Sequence, residues 1–181
     1  MNVRLIAGKY GGRILDAPDR RSTHAMSERV RNAMFNSIGS EIEGARVLDA
    51  FAGSGSIGFE ALSRGAREVV FIEKDKIAGK IIAKNIETLN VENNTTLIRT
   101  TVNNWLETAT TEEFDIIFAD PPYHDVQFST VERLMGLLKS TALMVLSHPG
   151  RSEVPPRTGV VVVDNRSYGT AVLTYFRRER E

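Results

Sequence analysis

The sequence predicts an α/β fold in which helices cover both faces of a mostly parallel sheet. Apolar runs of strand length alternate along the chain with segments of helical periodicity. A glycine-rich turn joins the first of these runs to a helix, and two later runs are followed by the acids Glu73 and Asp120. Right-handed crossovers would bring the carboxyl ends of these strands to one edge, where open α/β sheets bind ligands.

Length and charge indicate one domain with a small basic extension. The chain has 181 residues and a formal net charge of zero. Residues 1–31, however, hold seven Arg or Lys against three acidic residues, a local net charge of +4. A basic end on an otherwise acidic chain suggests a phosphate-rich partner at one edge; the alternative is a basic surface that only meets solvent.

Composition also excludes several classes of protein. The chain has no cysteine, so it has neither a disulfide framework nor a cysteine-ligated zinc site, and we expect no metal. No apolar run approaches the length of a membrane span, and residues 1–31 lack the apolar core of a signal peptide. We therefore expect a cytoplasmic protein that has no membrane partner and is a monomer.

The N-terminal region reads as a hairpin followed by a helix. Val3, Leu5 and Ala7 alternate with other residues before a glycine turn and a second short strand around Ile14. Ser27 is a suitable N-cap for a helix over 28–38. We divide the chain into a basic hairpin and helix extension, residues 1–40, and a main α/β domain, residues 41–181.

The remaining pattern gives seven strands. The last two have no helix between them, which indicates an antiparallel pair at one edge of the sheet. Seven strands ending in such a pair resemble the Rossmann-like fold of class I S-adenosylmethionine-dependent methyltransferases. The predicted strands end near 49, 72, 100, 119, 146, 163 and 176, and the predicted helices cover 59–64, 76–89, 102–108 and 126–139.

The glycine turn is a candidate nucleotide site. Its three glycines, Gly53, Gly55 and Gly58, allow unusual backbone dihedrals and close approach of a ligand to the start of a helix. The same spacing occurs in dinucleotide sites, so the turn alone does not separate a dehydrogenase from a methyltransferase. Asp49 favours the methyltransferase, because a carboxylate at the strand end can bind the ammonium of S-adenosylmethionine, which NAD lacks. Glu73, at the end of the next strand, is placed to bind ribose hydroxyls.

The chemical motif is Asp120-Pro121-Pro122-Tyr123, at the end of the strand beside the first one. Two prolines fix φ and remove two donors, so the loop presents acceptors: the Asp120 carboxylate and the carbonyl of Pro121. These acceptors suit an exocyclic amino group, whose lone pair is then turned toward a sulfonium methyl group. Tyr123 offers a flat face for a base extruded from its stack. The simpler alternative is a Pro-Pro strand ending with Tyr123 in the core.

Taken together, these motifs resemble one family, the RsmD-type guanine-N2 methyltransferases of bacterial small-subunit (16S) ribosomal RNA. The likeness runs through Arg4-x-Ile6-Ala7-Gly8, Arg29-Val30-Arg31, the Asp49 to Gly55 loop, Phe71-Ile72-Glu73 and Asp120-Pro121-Pro122-Tyr123. It implies methyl transfer from S-adenosylmethionine to a guanine 2-amino group, with the small ribosomal subunit as partner. Four arginines would then approach RNA phosphates or shape the substrate entrance: Arg4, Arg13, Arg29 and Arg31. At least one of these could pair instead with Asp16 or Glu28 as scaffold.

The predicted site has two halves. Asp120, Pro121, Pro122 and Tyr123 are the catalytic residues. The cofactor residues are Asp49, Phe51, Ala52, Gly53, Ser54, Gly55, Glu73, Lys74, Thr101 and Val102.

The chain departs from the family pattern at three places. His24-Ala25-Met26 stands where Arg-Pro-Thr is usual, and Thr101 or Asn103 must replace the usual adenine ligand. Ser147 replaces an acid after the fifth strand, beside His148. We expect His148 to be a hydrogen-bonded strand-end residue rather than a proton shuttle.

Other functions remain open from the sequence alone. Within the same reaction class, an adenine-N6 or a protein glutamine-N5 methyltransferase is the nearest alternative. From other classes, a nicotinamide-dependent oxidoreductase would use the same glycines, and a non-catalytic RNA-binding protein could keep the pocket.

Overall fold

A computed structural model describes residues 1–19, 26–108, 111–150 and 154–181. In these ranges the chain forms nine strands and five α-helices. The strands are β1 (Asn2–Arg4), β2 (Ile14–Asp16), β3 (Arg46–Asp49), β4 (Glu68–Ile72), β5 (Thr95–Ile98), β6 (Phe114–Ala119), β7 (Leu138–His148), β8 (Val160–Tyr168) and β9 (Ala171–Arg178). The helices are α1 (Glu28–Ile38), α2 (Ser56–Ser63), α3 (Lys76–Leu89), α4 (Val102–Leu106) and α5 (Phe128–Met135), with short 3₁₀ turns at Gly39–Ile42 and Glu92–Asn94.

The main sheet has the strand order β5-β4-β3-β6-β7-β9-β8 in the described ranges. Its strands are parallel except β9, which runs antiparallel to both β7 and β8. The predicted Rossmann-like methyltransferase fold is therefore confirmed, including the antiparallel pair at the edge. β1 and β2 pair separately as the predicted N-terminal hairpin.

Several predicted boundaries of helices and strands are wrong. Helix α2 begins at Ser56 rather than residue 59, so Gly58 lies in its first turn. Helix α5 ends at Met135 because Leu138 already pairs with Phe114 as the start of β7. Strand β8 continues to Tyr168 through polar residues that the sequence suggested were a loop. Strand β5 ends at Ile98, two residues before its predicted end at residue 100.

Two apolar layers enclose the sheet. The layer under α1, α2 and α3 includes the ring contact of Phe35 with Phe118, whose centroids are 5.3 Å apart. The layer under α4 and α5 contains Trp105 against Phe114 at 6.3 Å. Burial on both faces explains why the central strands are continuous apolar runs.

Gly58 sets how closely α2 approaches the sheet. A Cβ at this position would lie 2.2 Å from Cε1 of Phe71 on β4. The absence of a side chain therefore lets the first turn of α2 lie against the ring. This is the third-glycine role of nucleotide-binding turns, close helix–strand packing, rather than contact with a ligand.

The N-terminal hairpin is attached to α2 by a buried carboxylate. Glu60, which is fully buried, accepts hydrogen bonds from the backbone N–H groups of Ile6 at 2.9 Å and Ala7 at 3.1 Å. It also pairs with Arg64 at 2.9 Å and with Arg31 at 3.5 Å. The hairpin loop, α1 and α2 therefore meet at one side chain. The hairpin and α1 also share the apolar layer of the sheet.

Replacing Glu60 by Gln should lower the unfolding free energy by about 3 kcal/mol, because the Arg31 guanidinium stays buried without its counter-charge. Urea unfolding measures the change. Glu87→Gln, at an exposed position on α3, is the matched control and should stay within about 0.5 kcal/mol of the parent. Equal stability of the two variants would contradict the role given to Glu60.

Candidate active site

The topology brings three acidic residues to one edge of the sheet. β3 lies between β4 and β6, so Asp49 lies between the strands that precede Glu73 and Asp120. Asp49 pairs in register with Phe118, and Asp120 follows Phe118 by two residues. The side chains of Asp49 and Asp120 therefore lie on the same face of the sheet. The charges of Asp120 and Glu73 are close enough to raise the pKa of Asp49. The two predicted halves of the site are thus adjacent.

The two carboxylate oxygens of Asp49 have different surroundings. The side chain is fully buried, and Oδ2 accepts a hydrogen bond from the backbone N–H of Gly58 at 3.0 Å. Oδ1 is buried and has no hydrogen-bond partner among the residues that the structure describes. Burial raises the pKa of Asp49 to about 7, with Asp120 and Glu73 adding to the rise and the Gly58 N–H opposing it. A buried acceptor left open in this way is suited to a cationic donor.

Glu73 holds the glycine turn in place. Its two carboxylate oxygens accept from the backbone N–H groups of Gly53 and Asp75, each at 2.8 Å. Gly53 and Gly55 both have left-handed backbone conformations, with φ of 56° and 79°. Each bonded oxygen of Glu73 keeps a further lone pair, so the side chain can still accept from a ligand hydroxyl. Its assignment to ribose stays a prediction.

The other predicted cofactor residues surround this turn. Ala52 extends the sheet by donating its N–H to the carbonyl of Ile72 at 3.0 Å, and Ser54, within the turn, is buried. Lys74 is exposed, Val102 is buried and Phe51 is half-buried. Their contact with a ligand remains a prediction.

Thr101 and Asn103 are both exposed and both already accept a hydrogen bond. Thr101 caps α4, accepting from the N–H of Asn104 at 3.1 Å. The amide oxygen of Asn103 accepts from the hydroxyl of Thr130 on α5 at 2.8 Å. The replacement of the usual adenine ligand by Thr101 or Asn103 stays a prediction.

The Asp120-Pro121-Pro122-Tyr123 loop presents acceptors, as its sequence indicates. The carbonyl of Pro122 accepts from the N–H of Asp125 at 3.0 Å and closes a turn. The carbonyl of Pro121 has no hydrogen-bond partner within the described part of the chain. Burial raises the pKa of Asp120 to about 7, opposed by hydrogen bonding from Ser147. Tyr123 is half-buried, and its hydroxyl lies 2.7 Å from that of Ser147.

A narrow pocket reaches Asp120 from the helical layer. Its walls come from α1, α2, the strands β6 and β7, and Met26 just before α1. Sequence reasoning missed its apolar side, because Met34 on α1 matched a core position and Met26 had no pattern of its own. The lining residues are Met26, Met34, Ile57, Phe118, Ala119, Asp120, Val145 and Ser147.

His148 is a structural residue, as expected. Its Nδ1 accepts from the backbone N–H of Gly150 at 3.1 Å, so the neutral ring carries its proton on Nε2. Nε2 donates to the hydroxyl of Thr174 at 2.7 Å, which in turn donates to Asn165 at 2.7 Å. Burial lowers the pKa of His148, consistent with the neutral form.

The four predicted RNA-binding arginines fall into two groups. Arg13 and Arg29 are exposed, and Arg4 is exposed but paired with Glu28. Arg31 is 3% exposed, and one of its guanidinium N–H groups donates to the carbonyl of Arg4. The assignment of Arg31 to RNA phosphate is therefore wrong in this structure, because Arg31 is buried and pairs with Glu60. The alternative that at least one of the four arginines pairs with Asp16 or Glu28 is confirmed at Arg4 and Glu28.

Three further expectations concern the loop before α1, metal binding and membrane spans. His24 and Ala25, where the chain departs from the family pattern, lie outside the described residues. Within the ranges that are described, no cluster of three or more His, Cys, Asp or Glu side chains is arranged to hold a metal ion. None of the described helices is long and apolar enough to cross a membrane.

Residues 3–177 match the protein family described as Conserved hypothetical protein 95. YlbH of Bacillus subtilis, which has a provisional rRNA methyltransferase name, is 33% identical over 97% of this chain and 100% of its own length. Ribosomal RNA small subunit methyltransferase D of Haemophilus influenzae is 36% identical over 75% of this chain and 70% of its own. The solved structure of Escherichia coli yhhF, provisionally described as a methyltransferase, superposes with a TM-score of 0.87 at 29% identity and full coverage of both chains.

The carboxylates of Asp49, which is buried, and Asp120, which is partly exposed, should make stability depend on pH. The pKa values of Asp49 and Asp120 rise from 3.8 to about 7 on folding, so between these values the folded chain binds more protons than the unfolded chain. Their contribution to the unfolding free energy therefore falls as pH rises through this window and levels off above it. Asp49→Asn should lose less stability than the parent between pH 5 and pH 8, measured by urea unfolding. Equal losses in both proteins would contradict the burial effect at Asp49.

Proposed function

This chain belongs to the family described as Conserved hypothetical protein 95, and on that premise we propose that it is an S-adenosylmethionine-dependent methyltransferase acting on the N2 amino group of a guanine in small-subunit ribosomal RNA. The Haemophilus influenzae relative, named as a small-subunit ribosomal RNA methyltransferase, supports the RNA substrate. The observation that carries the proposal is the adjacency of Asp49, with its open buried oxygen, to Asp120 and its Pro-Pro-Tyr loop.

The residues present fit the cofactor. Oδ1 of Asp49 would accept from the ammonium of the methionine moiety, which would also stabilise the ionised carboxylate. Glu73 would accept from ribose hydroxyls. Bound here, S-adenosylmethionine supplies a sulfonium methyl group. Phe51, Ala52, Ser54, Lys74, Thr101 and Val102 would complete the walls.

The amine site uses two acceptors on one loop. The Asp120 carboxylate and the Pro121 carbonyl would each accept one N–H of the exocyclic amino group. Engaging both protons turns the nitrogen lone pair out of conjugation with the ring and toward the methyl donor, so alignment supplies much of the rate. Tyr123 would stack on the base, with Pro122 limiting its tilt.

Asp120 is also suited to accept the proton that the methylated nitrogen must release. After transfer, the methylated nitrogen releases one proton. A carboxylate whose pKa burial has raised to about 7 can take that proton at neutral pH and return it to solvent.

The RNA would reach this site across the N-terminal extension, residues 1–40. Arg29 is exposed in the first turn of α1, the helix that contributes Met34 to the pocket wall. Arg13 is exposed on the hairpin. Both would contact phosphates, and Arg4 would do so by exchanging Glu28 for RNA. The small ribosomal subunit is the proposed partner of a monomeric, cytoplasmic enzyme.

The cofactor half of the proposal predicts a selective effect of Asp49→Asn. Affinity for S-adenosylmethionine should fall by about tenfold or more, because a charge-assisted bond to the ammonium is lost. Affinity for 5′-methylthioadenosine, which lacks the amino-acid moiety, should change by less than about twofold. Calorimetry measures both. Parent protein that binds NAD instead would favour the oxidoreductase.

The reaction itself is tested with small-subunit RNA, free or in assembled subunits, and nucleoside mass spectrometry. We expect N2-methylguanosine from the parent, and a loss of at least about 100-fold in rate for Asp120→Ala with cofactor affinity retained. Asp125→Ala, an exposed acid of the same loop, is the matched control and should stay within about threefold. N6-methyladenosine, or methylation of peptide glutamine only, would replace the guanine assignment. Binding of RNA without turnover would indicate a binding protein.

A further inference from the structure

Ser147 and Asp120 leave the sheet side by side. Ala119 on β6 and Leu146 on β7 are register partners on parallel strands, and each of the two polar residues follows its partner directly. Side chains alternate along a strand, so Ser147 points to the same face as Val145, and Asp120 to the same face as Phe118. All of these side chains line one pocket.

The hydroxyl of Ser147 lies beside two residues of the Asp120-Pro121-Pro122-Tyr123 loop. Ser147 is 3% exposed, and its Oγ lies 2.7 Å from Oη of Tyr123. Ser147 also follows β7 directly beside Asp120, and hydrogen bonding from Ser147 opposes the rise in the pKa of Asp120. Because an ionised carboxylate only accepts, a hydroxyl that donates its single proton to Asp120 would accept from the phenol of Tyr123.

We propose that Ser147 is a positioning residue, which holds the Asp120 carboxylate and the Tyr123 ring in the relative orientation that a flat base with an exocyclic amine requires. The inference rests on the proposed function, since it concerns the same amine site. Asp120 alone would fix the nitrogen but not the plane of the base, and Tyr123 alone would fix the plane but not the nitrogen. A buried hydroxyl on a rigid strand couples the two.

The surroundings of Asp120 make its pKa sensitive to the hydroxyl of Ser147. Among the described residues, the titratable groups that face it are Asp49 on β3 and Tyr123 of its own loop, and Glu73 lies beyond Asp49. His148 is directed to Thr174 instead. The helices contribute apolar groups to the pocket, from Met34 and Ile57, as does Met26 before α1. Removing the Ser147 donor therefore leaves the charged form of Asp120 with less support, and its pKa should rise.

The test compares Ser147→Ala with Ser147→Thr, which keeps the hydroxyl. Methyl transfer to small-subunit RNA is followed against pH with saturating S-adenosylmethionine. For Ser147→Ala we expect kcat at pH 7 to fall about tenfold, the RNA KM to stay within about twofold, and the acidic limb of the rate profile to move up by about half a pH unit or more. Ser147→Thr should behave like the parent. Tyr123→Phe should lower kcat but leave the limb in place.

A carboxyl ¹³C NMR titration of Asp120 in protein without substrate provides a readout independent of turnover. A higher pKa in Ser147→Ala than in the parent supports the proposal, and equal values together with an unchanged kcat overturn it. A parent that methylates no RNA would contradict the proposed function, while the titration would still decide whether Ser147 controls Asp120. If Ser147→Ala does not fold, Ser147→Cys, a weaker donor of similar shape, replaces it in both measurements.

Discussion

The arrangement of the site depends on one constraint, the burial of a carboxylate at the end of the first strand of the main sheet with one of its two oxygens hydrogen-bonded to the helix that follows. The N–H of Gly58 holds one oxygen of Asp49 and thereby fixes the start of α2 against β3. That contact requires close packing of the helix on Phe71, which a Cβ at Gly58 would prevent. The other oxygen of Asp49 is buried without a hydrogen-bond partner among the described residues, and Glu73 secures Gly53 in the neighbouring glycine turn. Helix placement, turn conformation and the open acceptor are therefore one structural feature.

A second buried carboxylate performs the corresponding task for the N-terminal extension. Glu60 lies on the same short helix as Gly58 and binds the hairpin loop through two backbone N–H groups, and α1 through Arg31. Helix α2 thus begins at the glycine turn and is attached farther along to the basic extension. Because α1 also forms one wall of the Asp120 pocket through Met34, the surface proposed to meet RNA is rigidly connected to the amine site.

Sequence reasoning recovered what local patterns encode. The seven strands of the sheet, the antiparallel edge and the acids at strand ends follow from periodicity and from the missing helix between the last two strands, and the family resemblance read from the motifs is confirmed by the match over residues 3–177. It failed where a role depends on a distant partner. In the sequence, Arg31 cannot be told apart from the exposed arginines near it, because its partner Glu60 lies 29 residues away along the chain. A helical period of 3.6 predicts which face of a helix is buried but not which residues pack against that face. Ser147 was noticed only as a departure, since its contact with Tyr123 crosses from strand to loop.

The same geometry sets a conflict between stability and function. Asp49 and Asp120, on neighbouring strands, both lose hydration on folding, and the charge of each disfavours ionisation of the other. Such a pair destabilises the unliganded fold at neutral pH, yet each member has a reason to remain. An ammonium at Asp49 would remove one source of repulsion and lower the pKa of Asp120 indirectly, leaving Asp120 better able to accept from an amine. Cofactor binding would then prepare the amine site electrostatically without moving the backbone, and the fold would be most stable in the state that precedes methyl transfer.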